Sequence, residues 1–410
     1  MHVLYLHQYF CPPDGSSGTR SYEMARRIAA AGHRVTMVCS GANFAHHNLP
    51  DGRSERVIDG IQVVILNVPY SNRMGHLERI KAFVRFAEGA RRAARGVPDV
   101  DVVFATSTPL TVAYPGISAS RKHRCPMVFE VRDLWPELPI AVGALRDPVS
   151  KACAHWLERW AYRNSAHIVA LSPGMKEGVA KAGYPEARIT VVPNSSDIAT
   201  FRVPESEGRR FLDAHPPLDT GKLVTYAGAL GVVNGVDFLA DLAAATLDLD
   251  PDVRFCVVGD GKQRERIEAR ARELGVLDRN FWMLPPVPKT MMPAVLSAST
   301  ACASLLWDWP VLKASSPNKV FDAFAAARPV LISYGGWIED LLAETGAGIR
   351  VGRDDAGAAA RQLVAFLSDP VALQRAREAS ARLADERFSR DLLAAQLIGV
   401  LERVASDTRR

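Results

Sequence analysis

Two successive series of short apolar runs, alternating with helical segments, predict an α/β chain made of two doubly wound parallel sheets. Three observations carry this expectation. The runs, such as 3–6, 102–105 and 255–258, are apolar throughout rather than alternating, as expected of strands covered on both faces. The stretches between them hold amphipathic helical patterns, so βαβ crossovers connect the strands. The chain has 410 residues, more than one core usually organises, so two domains are expected.

The first series opens with a strand at 3–6, a loop containing Gly15 and Gly18, and a helix with Tyr22, Ala25, Ile28 and Ala29 on one face. Gly32 ends that helix before a strand at 34–39, and further strands are expected at 63–66, 102–105, 127–131 and 167–171. A polar stretch from Pro193 to about 219, rich in Pro, Glu and Arg, reads as a linker. The second series then places strands at 223–226, 255–258, 281–284, 301–305 and 330–333. No short internal repeat is evident. Ligands of such sheets bind beyond the carboxyl ends of the strands, and two facing halves would put the site in a cleft between the domains.

Hydrophobic residues are 48% and charged residues 23%, a globular composition with apolar side chains enough for two cores. The net charge of +5 is mild; it does not identify a nucleic-acid binder and suits anionic small molecules or an anionic membrane surface. Cys11, Cys39, Cys125, Cys153, Cys256 and Cys302 show no metal-type or redox-type spacing, so they read as reduced thiols of a cytoplasmic protein. The opening MHVLYLHQYF reads as a strand rather than a leader, and no apolar run approaches the roughly 20 residues of a membrane span.

The most informative segment is Ser315-Ser316-Pro317-Asn318-Lys319-Val320-Phe321-Asp322. Ser316 reads as a helix N-cap with Pro317 at the first helical position. Lys319 then falls in the first turn, where a cation opposes the helix dipole. The misfit is removed if an anion binds there, held by backbone N–H groups and the ammonium. Asn318, Lys319 and Asp322 share a face, and Asp322 is placed to accept hydrogen bonds from ribose hydroxyls. The competing reading is a surface Lys–Asp pair on an ordinary helix.

Gly228, Ala229, Leu230 and Gly231 follow a strand, as do Gly259, Asp260 and Gly261. Glycines allow close approach of backbone amides to a phosphate, although a plain βα turn explains them equally, and neither segment is a full dinucleotide fingerprint. Arg132, Asp133, Trp135 and Glu137 follow the strand at 127–131. Arg132 is suited to gripping a phosphate or carboxylate, and Asp133 or Glu137 to holding sugar hydroxyls; an Arg–Asp pair pinning a loop is the alternative. Residues 73–95 carry Arg73, Arg79, Lys81, Arg85, Arg91, Arg92 and Arg95, with Met74, Leu77, Ile80, Phe83, Val84 and Ala87 at helical spacing. This suits a helix lying on anionic lipid, or one whose apolar stripe faces its own core. His7 lines the end of the first strand or packs there, and His46-His47 has no metal-ligand spacing.

Together these segments resemble family 4 of the retaining glycosyltransferases. GSSGTRSYEMARRIAAAGHRVTMV looks like the family's glycine loop, helix and second strand, and VALSPGMKEGVAKAGYPEARITVVPNSSDIATF like the end of its first domain. VRFCVVGDGKQRERIEARARELGVLDRNFWML matches the middle of the second domain, and ERFSRDLLAAQLIGVLERV the terminal helix that crosses back to the first. VRDLWPELPIAVGAL is similar to the branch of bacterial fucosamine transferases of O-antigen and capsule assembly.

The resemblance implies a GT-B fold: two facing Rossmann-like domains at 1–200 and 201–385, with a helix at 386–410 returning to the first. It implies a retaining hexosyl- or N-acetylhexosaminyltransferase using a nucleoside diphosphate sugar, UDP being the commonest. The acceptor would be a glycan, lipid-linked or small-molecule hydroxyl. Gly228, Gly231, Asn234, Gly259, Ser316, Asn318, Lys319 and Asp322 would bind the donor; Gly15, Gly18 and Arg20 the acceptor; and Arg132, Asp133 and Glu137 would be catalytic. No cofactor or metal and no nucleic acid is expected; the location is cytoplasmic, with peripheral contact to the inner face of the membrane. Where the family has two Glu eight positions apart, this chain has Ala314 and Asp322. The family's phosphate-binding Arg and Lys fall at Ala229 and Asn234, and its His near Thr106-Ser107-Thr108-Pro109 is missing. Lys319 and Arg132 would supply the charge. The alternatives are a GT-B epimerase of a nucleotide sugar or a catalytically weak nucleotide-sugar-binding subunit.

Overall fold

The computed structural model describes residues 1–13, 15, 19–44, 49, 52–70 and 74–407. Gly18, His46-His47 and Arg73 lie outside these residues. Two compact units emerge: Met1–Pro193 with Ala314–Ser316 and Asp391–Arg410, and Asn194–Lys313 with Pro317–Arg390.

The first unit is built on eight strands: β1 (His2–Leu6), β2 (Arg34–Ser40), β3 (Arg53–Ile58), β4 (Ile61–Leu66), β5 (Val102–Thr106), β6 (Met127–Val131), β7 (His167–Ala170) and β8 (Ile189–Val191). Their order is β3-β4-β2-β1-β5-β6-β7-β8. All neighbours are parallel except β3 with β4. The order reverses between β1 and β5, where Leu4 sits beside Val103. The strand centres and the helices over them form one core, including Leu4, Phe86, Val103, Phe129 and Ile168, each without solvent exposure.

The second unit has six strands, all parallel: β9 (Leu223–Ala227), β10 (Arg254–Val258), β11 (Phe281–Leu284), β12 (Ala301–Ser304), β13 (Val330–Ile332) and β14 (Gly348–Arg350). Their order is β11-β10-β9-β12-β13-β14, reversing between β9 and β12. The core gathers Val224, Tyr226, Phe255, Val257 and Leu305.

The stretch read as a linker is structured. It forms the helices Ile198–Phe201 and Glu205–Ala214 and belongs to the second unit. Phe211 and Leu218 are buried against β9 and β10 and the helix Met292–Ala298. Gly208 allows the contact, since a Cβ there would meet the backbone of Ser297 and Ala298 at 2.7 Å. The charged face of an amphipathic surface helix, seen without its partner, mimics a linker.

Candidate functional site

In the first unit, candidate residues collect at the carboxyl ends of β1, β5 and β6, beside the reversal of strand order. Arg132 follows β6; its amide donates to Ser107 Oγ at 3.1 Å, and its Nη1 lies 3.2 Å from His7 Nε2. His7 Nδ1 lies 2.7 Å from Ser21 Oγ. Arg132 can only donate, so Nε2 accepts and the ring proton sits on Nδ1, donating to Ser21. Burial, reinforced by the Arg132 charge, holds the His7 imidazole well below its ordinary value, so the ring is neutral. Burial pushes the Asp133 carboxyl up to about 6, against the pull of Arg132. Asp133 therefore changes charge at the edge of the physiological range.

Arg20 has a different place from the one expected. It is 3% exposed. Its Nε and Nη2 donate to Glu130 Oε1 at 3.1 and 2.9 Å, and it also donates to the carbonyls of Val192 and Pro193 at 2.9 and 2.6 Å. Thr106 Oγ1 donates to the other Glu130 oxygen at 3.1 Å. Buried and fully engaged in this network, Arg20 is a positioning residue beneath the strand ends rather than an acceptor contact. Gly15 forms a turn by donating to Pro12 O at 3.0 Å, and a Cβ there would meet Cys11 Sγ at 2.3 Å. Glu137 begins the short helix Glu137–Ala141 and is half-exposed beside His155.

The sequence reading named His7 but missed Glu130, the Ser21 partner of His7 and the bond from Arg132 to Ser107. For Glu130 a signal existed: a carboxylate inside the run Met127–Val131, whose residues are all buried, demands a buried partner.

In the second unit the site gathers where β9 ends, again at the reversal of strand order. Gly228 has φ +143°, and a Cβ placed on it would lie 3.3 Å from Lys319 Cε. Lys319 Nζ donates to the Tyr226 hydroxyl at 2.7 Å and lies 4.1 Å from the centre of that ring. Burial pulls the Lys319 ammonium down to about 7, opposed by the Asp322 charge. The helix Asn318–Ala325 starts one residue later than expected: Pro317 is its N-cap, and no side chain caps it. Proline can hold the extended cap conformation but offers no side-chain acceptor, so the Ser316 cap reading is replaced. Burial pushes the Asp322 carboxyl up, countered by Ser196, Arg390 and Lys289.

The glycines here serve loop-to-loop contact. Gly228 N–H donates to Val258 O at 2.9 Å, Gly231 N–H to Asn234 Oδ1 at 3.1 Å, and Gly259 N–H to Leu284 O at 3.5 Å. A Cβ on Gly259 would meet the Gly228 carbonyl oxygen at 2.0 Å. These amides are engaged within the protein, and Asn234 braces the 228–234 loop. Ala314 is closely packed: Gly174 leaves only 3.0 Å between a Cβ there and the Ala314 methyl, and the Ala314 carbonyl accepts from Ser172 Oγ at 2.5 Å.

The helix His76–Arg95 buries Ala82, Phe86, Ala90, Ala93 and Ala94, while Ile80 and Val84 are 55% and 59% exposed beside the exposed Lys81 and Arg85. The buried stripe thus keeps Ala87 of the one expected but leaves out Ile80 and Val84. Among the described residues, no helix is long and apolar enough to cross a membrane.

Two doubly wound units, each with polar groups at its switch point and one with a cation at a helix start that no side chain caps, define the class of the fold. Comparison with known proteins gives the family. Residues 15–195 match the glycosyl transferase 4-like domain, and residues 221–369 match the glycosyl transferases group 1 domain. The chain belongs to the family-4, group 1 glycosyltransferases and has the GT-B fold. It is 28% identical over 233 residues to a 2-deoxystreptamine glucosyltransferase of Streptomyces kanamyceticus, covering 56% of this chain and 59% of that protein's length. It is 23% identical over 414 residues to a GDP-mannose-dependent alpha-(1-6)-phosphatidylinositol dimannoside mannosyltransferase of Mycobacterium tuberculosis, covering 100% of this chain and 98% of the relative. The crystal structure of Anabaena HepE in complex with UDP and glucose superposes with a TM-score of 0.71 at 17% identity, over 98% of this chain and 100% of HepE.

Proposed function

We propose that the protein is a retaining glycosyltransferase that moves a sugar from a nucleoside diphosphate sugar, UDP-linked, onto the hydroxyl of a glycan or lipid-linked acceptor. One observation carries this reading: the Lys319 ammonium lies beside Gly228 at the start of a helix that no side chain caps. An anion there meets positive charge and the dipole of the helix start. The diphosphate is that anion, and the charge developing on it as the sugar departs is stabilised by the same groups. Asp322, one turn further along, takes the ribose hydroxyls. The family relatives support a nucleotide-sugar donor, although their names include both a GDP-mannose enzyme and a UDP complex.

Arg132 and Asp133 hold the acceptor in the first unit, Asp133 accepting from a sugar hydroxyl in its charged form. The acceptor hydroxyl attacks from the face the phosphate leaves, and a phosphate oxygen takes its proton. That route needs no protein nucleophile. Ile80 and Val84, set among Lys81 and Arg85, suit peripheral contact with an anionic membrane on which a lipid-linked acceptor sits.

A second reading, a nucleotide-sugar-binding subunit with little turnover, is favoured by Ala314 and Asn234 standing where the family has Glu and Lys. Both readings are tested by screening UDP- and GDP-sugars for thermal stabilisation, then following transfer by NMR. A sugar at 100 times its dissociation constant should stabilise by about 2.7 kcal/mol. UDP-sugar stabilisation with an axial or equatorial linkage retained in the product is expected. An inverted product overturns the mechanism, binding without transfer selects the subunit reading, and no binding removes the donor site.

A further inference from the structure

We propose that Glu137, His155 and Glu158 form a binding site for a divalent transition-metal ion of the kind that accepts imidazole and carboxylate ligands, zinc being its representative. The three residues each offer a ligand atom, and these atoms lie within 4.8 Å of one another. His155 Nδ1 is 3.5 Å from Glu158 Oε2 and 4.0 Å from Glu137 Oε1. Zinc bonds of about 2.0–2.2 Å place tetrahedral ligand atoms about 3.3–3.6 Å apart, close to the separations from His155. Three protein ligands leave the fourth position for water.

The surroundings fit a cation. The Glu158 side chain is 4% exposed, and its hydrogen-bonding partner is the buried Tyr162 hydroxyl, which fixes the carboxylate as an outer-shell group does. Glu137 Oε2 is shielded from solvent and has no hydrogen-bonding partner. A buried carboxylate oxygen without a donor is costly unless a cation faces it. One imidazole among carboxylates disfavours calcium and magnesium, which prefer oxygen ligands alone.

The set joins two elements. His155 and Glu158 lie one turn apart on the helix Pro148–Arg163. Glu137 closes the segment that begins at Arg132 after β6. An ion here clips that segment to the helix and steadies Arg132 and Asp133 without touching the donor residues of the second unit. The sequence reading expected no metal. The inference stands apart from the proposed transfer reaction.

The test is to strip the full-length protein of metal, titrate it with zinc alone, and count bound zinc. A single zinc per chain is expected, with His155→Gln and Glu158→Gln each weakening binding by at least ~10–100-fold. Cobalt(II) should give the visible bands of a tetrahedral site in the wild type and lose them in His155→Gln. Melting curves in chelator check that each variant folds; the partly exposed His155 carries the test if Glu158→Gln does not. Uptake of no zinc, or wild-type uptake by folded His155→Gln, overturns the proposal. UDP-sugar binding, measured in parallel with chelator, separates this outcome from failure of the donor site.

Discussion

The two switch points use charge in opposite ways. In the first unit the buried charges beneath the strand ends are matched, as Arg20 meets Glu130. In the second unit Lys319 leans on the Tyr226 ring and hydroxyl, and its nearest named carboxylate, Asp322, lies one turn along the same helix. A matched buried pair is architecture, because removing either partner strands the other in an apolar site. Under the proposed function, the Lys319 ammonium, which burial pulls down to about 7 and which makes no ion pair among the described residues, is the cation that meets the donor diphosphate.

The largest expected effect breaks the first half of this comparison. Glu130→Ala leaves the Arg20 guanidinium buried and unmatched, so unfolding in denaturant should show a loss of about 3–5 kcal/mol. Glu130→Gln, which keeps the acceptor oxygen, should lose less. If both variants are as stable as wild type, the network is not structural and Arg20 returns as a candidate for acceptor binding.

The next effect tests the second half. Lys319→Met keeps the length of the side chain and removes its charge. Donor binding by calorimetry should weaken by about 1.5–3 kcal/mol, roughly ten- to a hundredfold. The apo protein should melt close to wild type, since the Tyr226 hydroxyl still has the Ala229 carbonyl at 2.8 Å. The pH dependence follows from the same lysine. Its folded value lies below the ordinary one, so the free protein loses the ammonium as pH rises through about 7. Affinity for a nucleotide sugar, whose diphosphate diester does not titrate there, should fall by up to about tenfold per pH unit above that value. In Lys319→Met the slope should vanish. Wild-type binding or an unchanged slope in this variant would make Lys319 structural, like Arg20.

The smallest effect sharpens the assignment of ligand parts. Asp322→Asn should weaken nucleoside, nucleoside diphosphate and donor alike, by about 0.5–1.5 kcal/mol, because its proposed partner is the ribose. Weakening confined to the phosphorylated ligands would move Asp322 from the ribose to the support of Lys319.

The central strands were legible because parallel strands are buried on both faces and read as unbroken apolar runs. β3 was missed for the opposite reason: it is an antiparallel edge strand, with Arg53, Glu55 and Val57 exposed in alternation. β8 and β14 are three residues long and each includes a polar residue, Thr190 and Arg350, so neither reads as an apolar run as β13 does. Within the candidate sites, Lys319 and Asp322 were visible because a cation at a helix start is a local anomaly, and Arg132 and Asp133 because they end a strand.

By itself the sequence determined the α/β class, the two series of strands and the local oddities at helix starts and strand ends, since these depend on neighbours a few residues apart. Tertiary structure alone decided which charges are spent. Arg20 finds Glu130 across 110 residues and Arg132 finds His7 across 125. The 228–234 glycines close on the 259–261 loop, and Glu137 comes to His155 and Glu158. Strand order sets these meetings. Whether a buried charge is architecture or a waiting ligand site depends on what the fold places within about 4 Å of it, where Coulomb attraction can offset lost hydration.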